Sequence, residues 1–257
     1  MSPDPAIPQE PDLRAIDGWT IHEFAEVTST NSLAAHLPPW TAVRAVVQTA
    51  GRGRTGRHWL SDEEGLWLSA VVPTPGDIAP WSLLPLAAGW AVLSVVRALG
   101  LPDARLRWPN DILIGRRKLA GILVDRFSAG AAVVGIGLNV ANHPEKTDPE
   151  LAGEVICLAD LLPVTPPFRA LIVRLLDALT REHHRLETGD VSGLCRDLNG
   201  AWRYRQVQVT LAGGRGAVNG HLDGVDPAGA LLVRDAAGEM RVLPAPHVEL
   251  LREVFPI

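Results

Sequence analysis

Apolar positions fall into three textures along this chain. Residues 19–26, carrying Ile21 and Phe24 among polar neighbours, predict a strand that runs into the small polar cluster Thr28-Ser29-Thr30-Asn31. Such side chains cap helices, so a short helix is expected over 32–36. Short apolar runs at 43–47, 66–72, 106–108, 112–114, 119–125 and 132–140 predict further strands, with Gly115-Arg116-Arg117 as a hairpin turn. A second texture is helical: 80–99 is a long, mostly apolar stretch. Phe168, Ile172, Leu175, Leu176, Leu179 and His183 recur at helical spacing, and another helix is expected to run to Asn199. After Tyr204 the rhythm shortens. Runs at 206–211, 216–222, 230–233 and 240–243, separated by Gly, Asp and Pro turns, predict a small β-barrel. The pattern therefore divides as a tail over 1–17, a mixed α+β domain over 18–205 and an all-β domain over 206–257.

Composition narrows the picture. The stretch 80–99 contains Pro85, Gly89, Ser94 and Arg97 and is short for a membrane span, which predicts a buried helix. Four prolines in the first eleven residues, with no basic or apolar run, predict a floppy tail rather than a signal peptide. A net charge of −5 argues against a generic nucleic-acid binder. Cys157 and Cys195 are the two cysteines, and no Cys-x-x-Cys occurs. Neither a disulfide framework nor a zinc site is indicated, and a reducing cytoplasm fits best. Among the 24 basic residues only Lys118 and Lys146 are lysines. A lysine in so arginine-rich a chain suggests a task that needs a compact ammonium.

The most informative stretch runs from Gln48 to Trp59. Gly51, Gly53 and Gly56 alternate there with Arg52, Arg54 and Arg57. Glycines let backbone approach a ligand, arginines offer forked donors for carboxylate and phosphate, and Trp59 offers a face for stacking. As bare spacing it fits Gly-x-Gly-x-x-Gly, a weak signal alone. Arg107-Trp108-Pro109-Asn110-Asp111 adds an amide and a carboxylate at a bend; the amide suits an adenine edge, the carboxylate an amine or water-bound Mg²⁺. Lys118-Leu119-Ala120-Gly121-Ile122-Leu123 and Gly135-Ile136-Gly137-Leu138-Asn139 place glycines inside strands, where they suit a close-lying ligand better than packing.

In this order the motifs resemble those of biotin–protein ligases across roughly residues 20–143. The resemblance implies a mixed sheet with flanking helices, like the catalytic fold of class II aminoacyl-tRNA synthetases and biotin–lipoate ligases, followed by an SH3-like barrel. It implies a ligase that joins biotin to ATP as biotinyl-5′-AMP and then passes biotin to a lysine of a biotin carboxyl carrier protein. By motif match Ser29, Thr30, Asn31, Gln48, Gly51, Arg52, Arg54, Lys118, Gly121 and Gly135 would serve biotin. Arg54, Arg57, Trp59, Asn110, Lys118 and Asn139 would serve the nucleotide. Lys118, Arg52, Arg54 and Asp111 would carry the chemistry: Lys118 bridging carboxylate and α-phosphate, Asp111 placing or deprotonating the incoming amine. Mg²⁺ is expected to arrive with ATP rather than on a metal site of the chain's own. Arg107 departs from the lysine usual before Trp-Pro-Asn-Asp; the charge is kept and the geometry altered.

Two rivals remain at this stage. A lipoate ligase or octanoyl transferase shares the fold; a thioester route needs a cysteine nucleophile, and Cys157 lies in an apolar context beyond the matched motifs. A non-catalytic biotin sensor would not need the charged set. Only about twenty residues precede the first predicted strand, which leaves no room for the winged-helix domain of bifunctional relatives, so neither nucleic acid nor membrane is expected as a partner. Monomer and homodimer both remain open.

Overall fold

An apolar strand, a five-residue helix and a second strand begin the fold, and their spacing places the candidate residues at the end of a sheet. The computed structural model describes residues 14–16, 18–76, 79–128, 130–202 and 204–254. The chain divides into two compact units, Met1–Pro73 with Ala120–Leu176, and Thr74–Leu119 with Asp177–Ile257. In chain order the first elements are β1 (Arg14–Ile16), β2 (Trp19–Val27), α1 (Thr30–Ala34), β3 (Thr41–Gln48), β4 (Leu66–Pro73) and α2 (Leu84–Ala98). They are followed by β5 (Arg105–Arg107), β6 (Asp111–Ile114), β7 (Arg117–Ser128) and β8 (Ala131–Leu138).

The first unit holds strands in the order β1-β2-β3-β4-β8-β7. β2 and β3 run parallel, with α1 in the crossover between them, and the other pairs are antiparallel. β4 lies mid-sheet and is buried from Leu66 to Val72, which is why it reads as a continuous apolar run instead of an alternation. Phe24, Ala34, Val43, Val71 and Val133 form a core cluster under α1. Full burial of side chains of this size contributes about 1.5–3 kcal/mol each.

In the second unit, β6 and β5 follow the first residues of β7 in the order β7-β6-β5. Gly115, at φ +59, makes the predicted tight turn into β7. A 3-10 turn over Pro80–Leu83 leads into α2, whose Pro85 occupies the first helical turn, where its missing N–H costs nothing. The stretch Pro80–Ala98 is long and apolar enough to cross a membrane by length and composition, but 67% of it is buried within the protein, as the interrupted sequence predicts. α3 (Phe168–Glu187) begins in the first unit and ends in the second; α4 (Val191–Ala201) follows, capped by Asp190, whose carboxylate accepts from Gly193 N at 3.0 Å. A separate antiparallel sheet contains β9 (Gln206–Leu211), β10 (Ala217–Val225), β11 (Leu231–Asp235), β12 (Met240–Leu243) and β13 (Val248–Glu253), ordered β12-β11-β10-β9-β13.

Three expectations need correction. Residues 14–16, expected in the tail, form β1 and pair with β2; residues 1–13 and 17 lie outside the described residues. The first helix starts at Thr30, and Ser29 makes no side-chain cap. The hydroxyls and amide of that cluster point into a buried network instead. Finally, the expected C-terminal runs stop at residue 243, whereas Val248–Glu253 forms a further strand, β13, with a register shift between Val248 and Leu250.

Candidate active site

The end of β3 and the start of α1 are joined by a directed chain of hydrogen bonds. Ser61 donates its hydroxyl to Trp59 O (3.0 Å) and accepts from Gln48 Nε2 (2.9 Å). Gln48 Oε1 then accepts both the amide (2.8 Å) and the hydroxyl (2.9 Å) of Thr30. Ser69, fully buried on β4, stands 2.7 Å from Thr30 Oγ1 and 2.6 Å from Asn31 Oδ1. One hydroxyl proton serves only one of these acceptors at a time. Asn31 cannot turn to help, because its Nδ2 is held by Asp125 Oδ2 at 3.0 Å. The Thr30 hydroxyl can give its proton to Ser69 while the Thr30 backbone N–H still serves Gln48, so every acceptor in the cluster has a donor within the protein. Ser29 is buried beside it, at the first residue before α1.

Glycines make this arrangement possible. A Cβ on Gly135 would lie 2.2 Å from Asn31 Oδ1, and one on Gly137 would lie 2.7 Å from the Trp59 indole. Gly121 stands opposite Gly137 across β7 and β8. The glycine positions that suggested a flat ligand thus lie partly under the protein's own side chains. A Cβ on Gly51 would meet Trp59 O at 2.4 Å, where Trp59 N also donates back to Gly51 O.

The Gly/Arg stretch is a hairpin. Bridges at Gln48–Ser61 and Arg52–His58 zip its sides, and Thr55 and Gly56 turn its tip at φ +55 and +76. Arg52 Nη2 donates to Ser32 Oγ (3.2 Å) and lies 3.6 Å from Asp125 Oδ2. Asp125 consequently touches both the buried amide Asn31 and the loop cation Arg52. Arg54 sits in the 3-10 turn at the tip, half-buried, and Arg57 is exposed just beyond it.

In the second unit the sequence candidates form an ion cluster. Asp111 Oδ2 receives Arg107 Nη2 at 2.6 Å, and its Oδ1 receives Lys118 Nζ at 2.7 Å. Burial alone would raise the Asp111 carboxyl, but the charges of Lys118 and Arg107 outweigh it and hold it below the usual carboxylate range. Both carboxylate oxygens are engaged by cations, so Asp111 does not fit a Mg²⁺ ligand. Trp108, joined to Pro109 by a cis peptide, is buried and donates Nε1 to Gly229 O at 3.1 Å. Asn110 occupies the bend, its amide donating to Arg107 O.

Other candidates sit away from these clusters. Asn139 is 2% exposed; its amide donates to Ile156 O (3.2 Å) and accepts from Asn142 Nδ2 (3.1 Å), fastening the segment after β8. Cys157 is buried, and burial pushes its thiol pKa up, the wrong direction for an acyl-carrying nucleophile. Ser61, Ser69 and Asp125 were not singled out from the sequence. Ser69 and Asp125 have one legible signal, a polar residue inside an apolar strand.

Residues 24–140 match the model of the biotin/lipoate A/B protein ligase family. The biotin–[acetyl-CoA-carboxylase] ligase of Mycobacterium tuberculosis is 34% identical, over 93% of this chain and 92% of its own length. The chain belongs to the biotin–protein ligase family. The enzyme of the same name from Paracoccus denitrificans is 32% identical over 88% of this chain and 98% of its own. Among solved structures, the biotin protein ligase of Aquifex aeolicus in complex with biotin and ATP overlays with a TM-score of 0.77, covering 91% of this chain and 99% of that one at 24% identity. That likeness is one of fold, a mixed sheet with helices and a small β-sheet at the C-terminal end.

Proposed function

We propose that this chain is an ATP-dependent ligase that activates biotin as biotinyl-5′-AMP, releases pyrophosphate and transfers biotin to a lysine of a biotin carboxyl carrier protein. The observation that carries this reading is the buried polar cluster of Thr30, Asn31, Gln48 and Ser69, whose hydroxyls and amide oxygens suit the polar edge of a cyclic urea. The relative from M. tuberculosis, a biotin–[acetyl-CoA-carboxylase] ligase similar over nearly the whole chain, supports it. Acetyl-CoA carboxylase is the carrier source its name suggests, and a cytoplasmic setting fits two free, buried cysteines.

Two anions must meet in the first step, so the groups that matter are cations. Lys118 supplies a compact ammonium for the carboxylate and the α-phosphate; Arg52 and Arg54 supply forked donors from the hairpin. Asp111, kept ionised by Arg107 and Lys118, is a poor proton acceptor. Its part is to aim Lys118. Mg²⁺ comes with ATP and shields part of the phosphate charge. Arg57, Trp59, Asn110 and Asn139 attend the nucleotide side, Asn139 by fastening the segment after β8. Ser29, Gly51, Gly121 and Gly135 shape the biotin side. The small C-terminal sheet is read as an SH3-like accessory module, and the catalytic part as resembling class II synthetases. The test is ATP–pyrophosphate exchange with biotin, lipoate or octanoate as the acid. Exchange that requires biotin supports the reading, and exchange with lipoate or with none overturns it.

A further inference from the structure

The segment after β8 contains chemistry the ligase reaction does not use. We propose that His143, Cys157 and Asp160 form a binding site for a divalent transition metal of the zinc class. A ring nitrogen of His143, Sγ of Cys157 and a carboxylate oxygen of Asp160 all lie within 4.8 Å of one another. Tetrahedral zinc holds such atoms about 3.5 Å apart, so small side-chain shifts close the set. One nitrogen, one sulfur and one oxygen are the ligand types zinc takes, with water completing the fourth position.

The surroundings are those of a ligand set. His143 Nδ1 lies 3.1 Å from Glu145 Oε1, the carboxylate that fixes a metal-binding imidazole and leaves Nε2 to coordinate. Cys157 Sγ accepts the backbone N–H of Asp160, and Asp160 Oδ2 accepts Cys157 N at 3.3 Å, which holds thiol and carboxylate on one turn. Thiolate and carboxylate together carry the charge that neutralises a divalent cation, Cys157 from the buried side and Asp160 from the exposed side. Binding expels the Cys157 thiol proton to solvent, and no redox change occurs. His143 also lines a cleft of about 370 Å³ whose walls include Asp62, Glu63 and Glu64, an acidic approach for a cation.

The metal would staple a segment that is otherwise irregular. Leu158 N bonds Asn139 O and Ala159 N bonds Val140 O, so the site joins the two ends of the excursion between them. Thr147 Oγ1 meets Asp62 Oδ2 at 3.0 Å, and Ala141 N meets Glu64 O at 2.9 Å. The staple thus braces the residues that follow Trp59.

The test uses the full chain, freed of metal and titrated with Co²⁺. One equivalent should give thiolate-to-cobalt charge-transfer absorption, abolished by competing Zn²⁺. Cys157→Ser should remove the band, and Asp160→Asn, at an exposed position, should weaken affinity at least tenfold with the fold intact by circular dichroism. Cys195→Ala should keep the band. Absence of the band from the wild-type chain, or its survival in Cys157→Ser, overturns the proposal. Biotin-dependent exchange, measured beside it, reports separately on the ligase reading.

Discussion

At the scale of single residues, the site rests on a few groups whose partners leave them no alternative. Asp111 is one. Asp111→Asn removes the carboxylate charge that Arg107 and Lys118 share and leaves the two cations repelling each other across the amide. Pyrophosphate exchange should fall at least tenfold, with the loss in kcat. Because the folded pKa of Asp111 lies below its unfolded value, its stabilising charge is full above the unfolded pKa, about pH 4. That contribution is lost only as pH falls through the lowered folded value, so wild-type melting temperature should stay flat from pH 7 to 5 as far as this residue decides it. A drop in that window confined to wild type and absent from Asp111→Asn would contradict the assignment. Lys118→Arg keeps the charge but replaces a point contact with a planar fork; adenylation should drop about tenfold, or about 1.4 kcal/mol. Gly135→Ala drives a methyl to 2.2 Å from Asn31 Oδ1, so the KM for biotin should rise far more than the KM for ATP. The glycines, the arginines and Lys118 were all legible as sequence. Ser69 and Asp125 were not, because a lone polar residue in an apolar run shows its partners only once the register is known.

At the scale of elements, most strands and the longer helices followed from apolar rhythm wherever an element buries one face or both. β4 and α2 are such cases. The rhythm failed at β1, three residues long, and at β13, where a register shift breaks the period. It also misplaced the start of α1, since hydroxyls suited to capping are engaged in a tertiary network. The Gly/Arg hairpin between β3 and β4, in contrast, has little apolar burial and is held by bridges and by its turn. Gly56 at φ +76 is the position where a side chain is most strained. Gly56→Val, costing about 1–2 kcal/mol locally, should open the tip without touching the core. Trypsin should then cut after Arg54 or Arg57 several times faster than in the wild type, while the global melting temperature changes by about a degree. Equal cleavage rates would mean the turn does not hold the hairpin.

At the scale of the whole molecule, texture alone suggested a boundary near residue 205, where an α+β pattern gives way to short strands. The second compact unit nevertheless contains both sides of that position. The reason is visible in three buried ties. Arg105 Nε meets Glu253 Oε2 at 2.6 Å with side chains 7% and 3% exposed, Trp108 Nε1 donates to Gly229 O, and Val225 N donates to Asn199 Oδ1. No composition shift reveals such ties, because each joins residues far apart in sequence. Ending the chain at 205 would leave Arg105 buried without its carboxylate and strip the acceptor from a buried indole. An unpaired buried charge alone costs about 3–5 kcal/mol, a large part of the stability of any domain. A chain ending at residue 205 should therefore lose its cooperative thermal transition and bind a hydrophobic dye. Glu253→Gln tests the same point without truncation: it keeps an acceptor for Arg105 but removes the charge, so it should lower the melting temperature while leaving one transition. A sharp, unshifted transition in the truncated chain would show that the small sheet folds and detaches as an independent body.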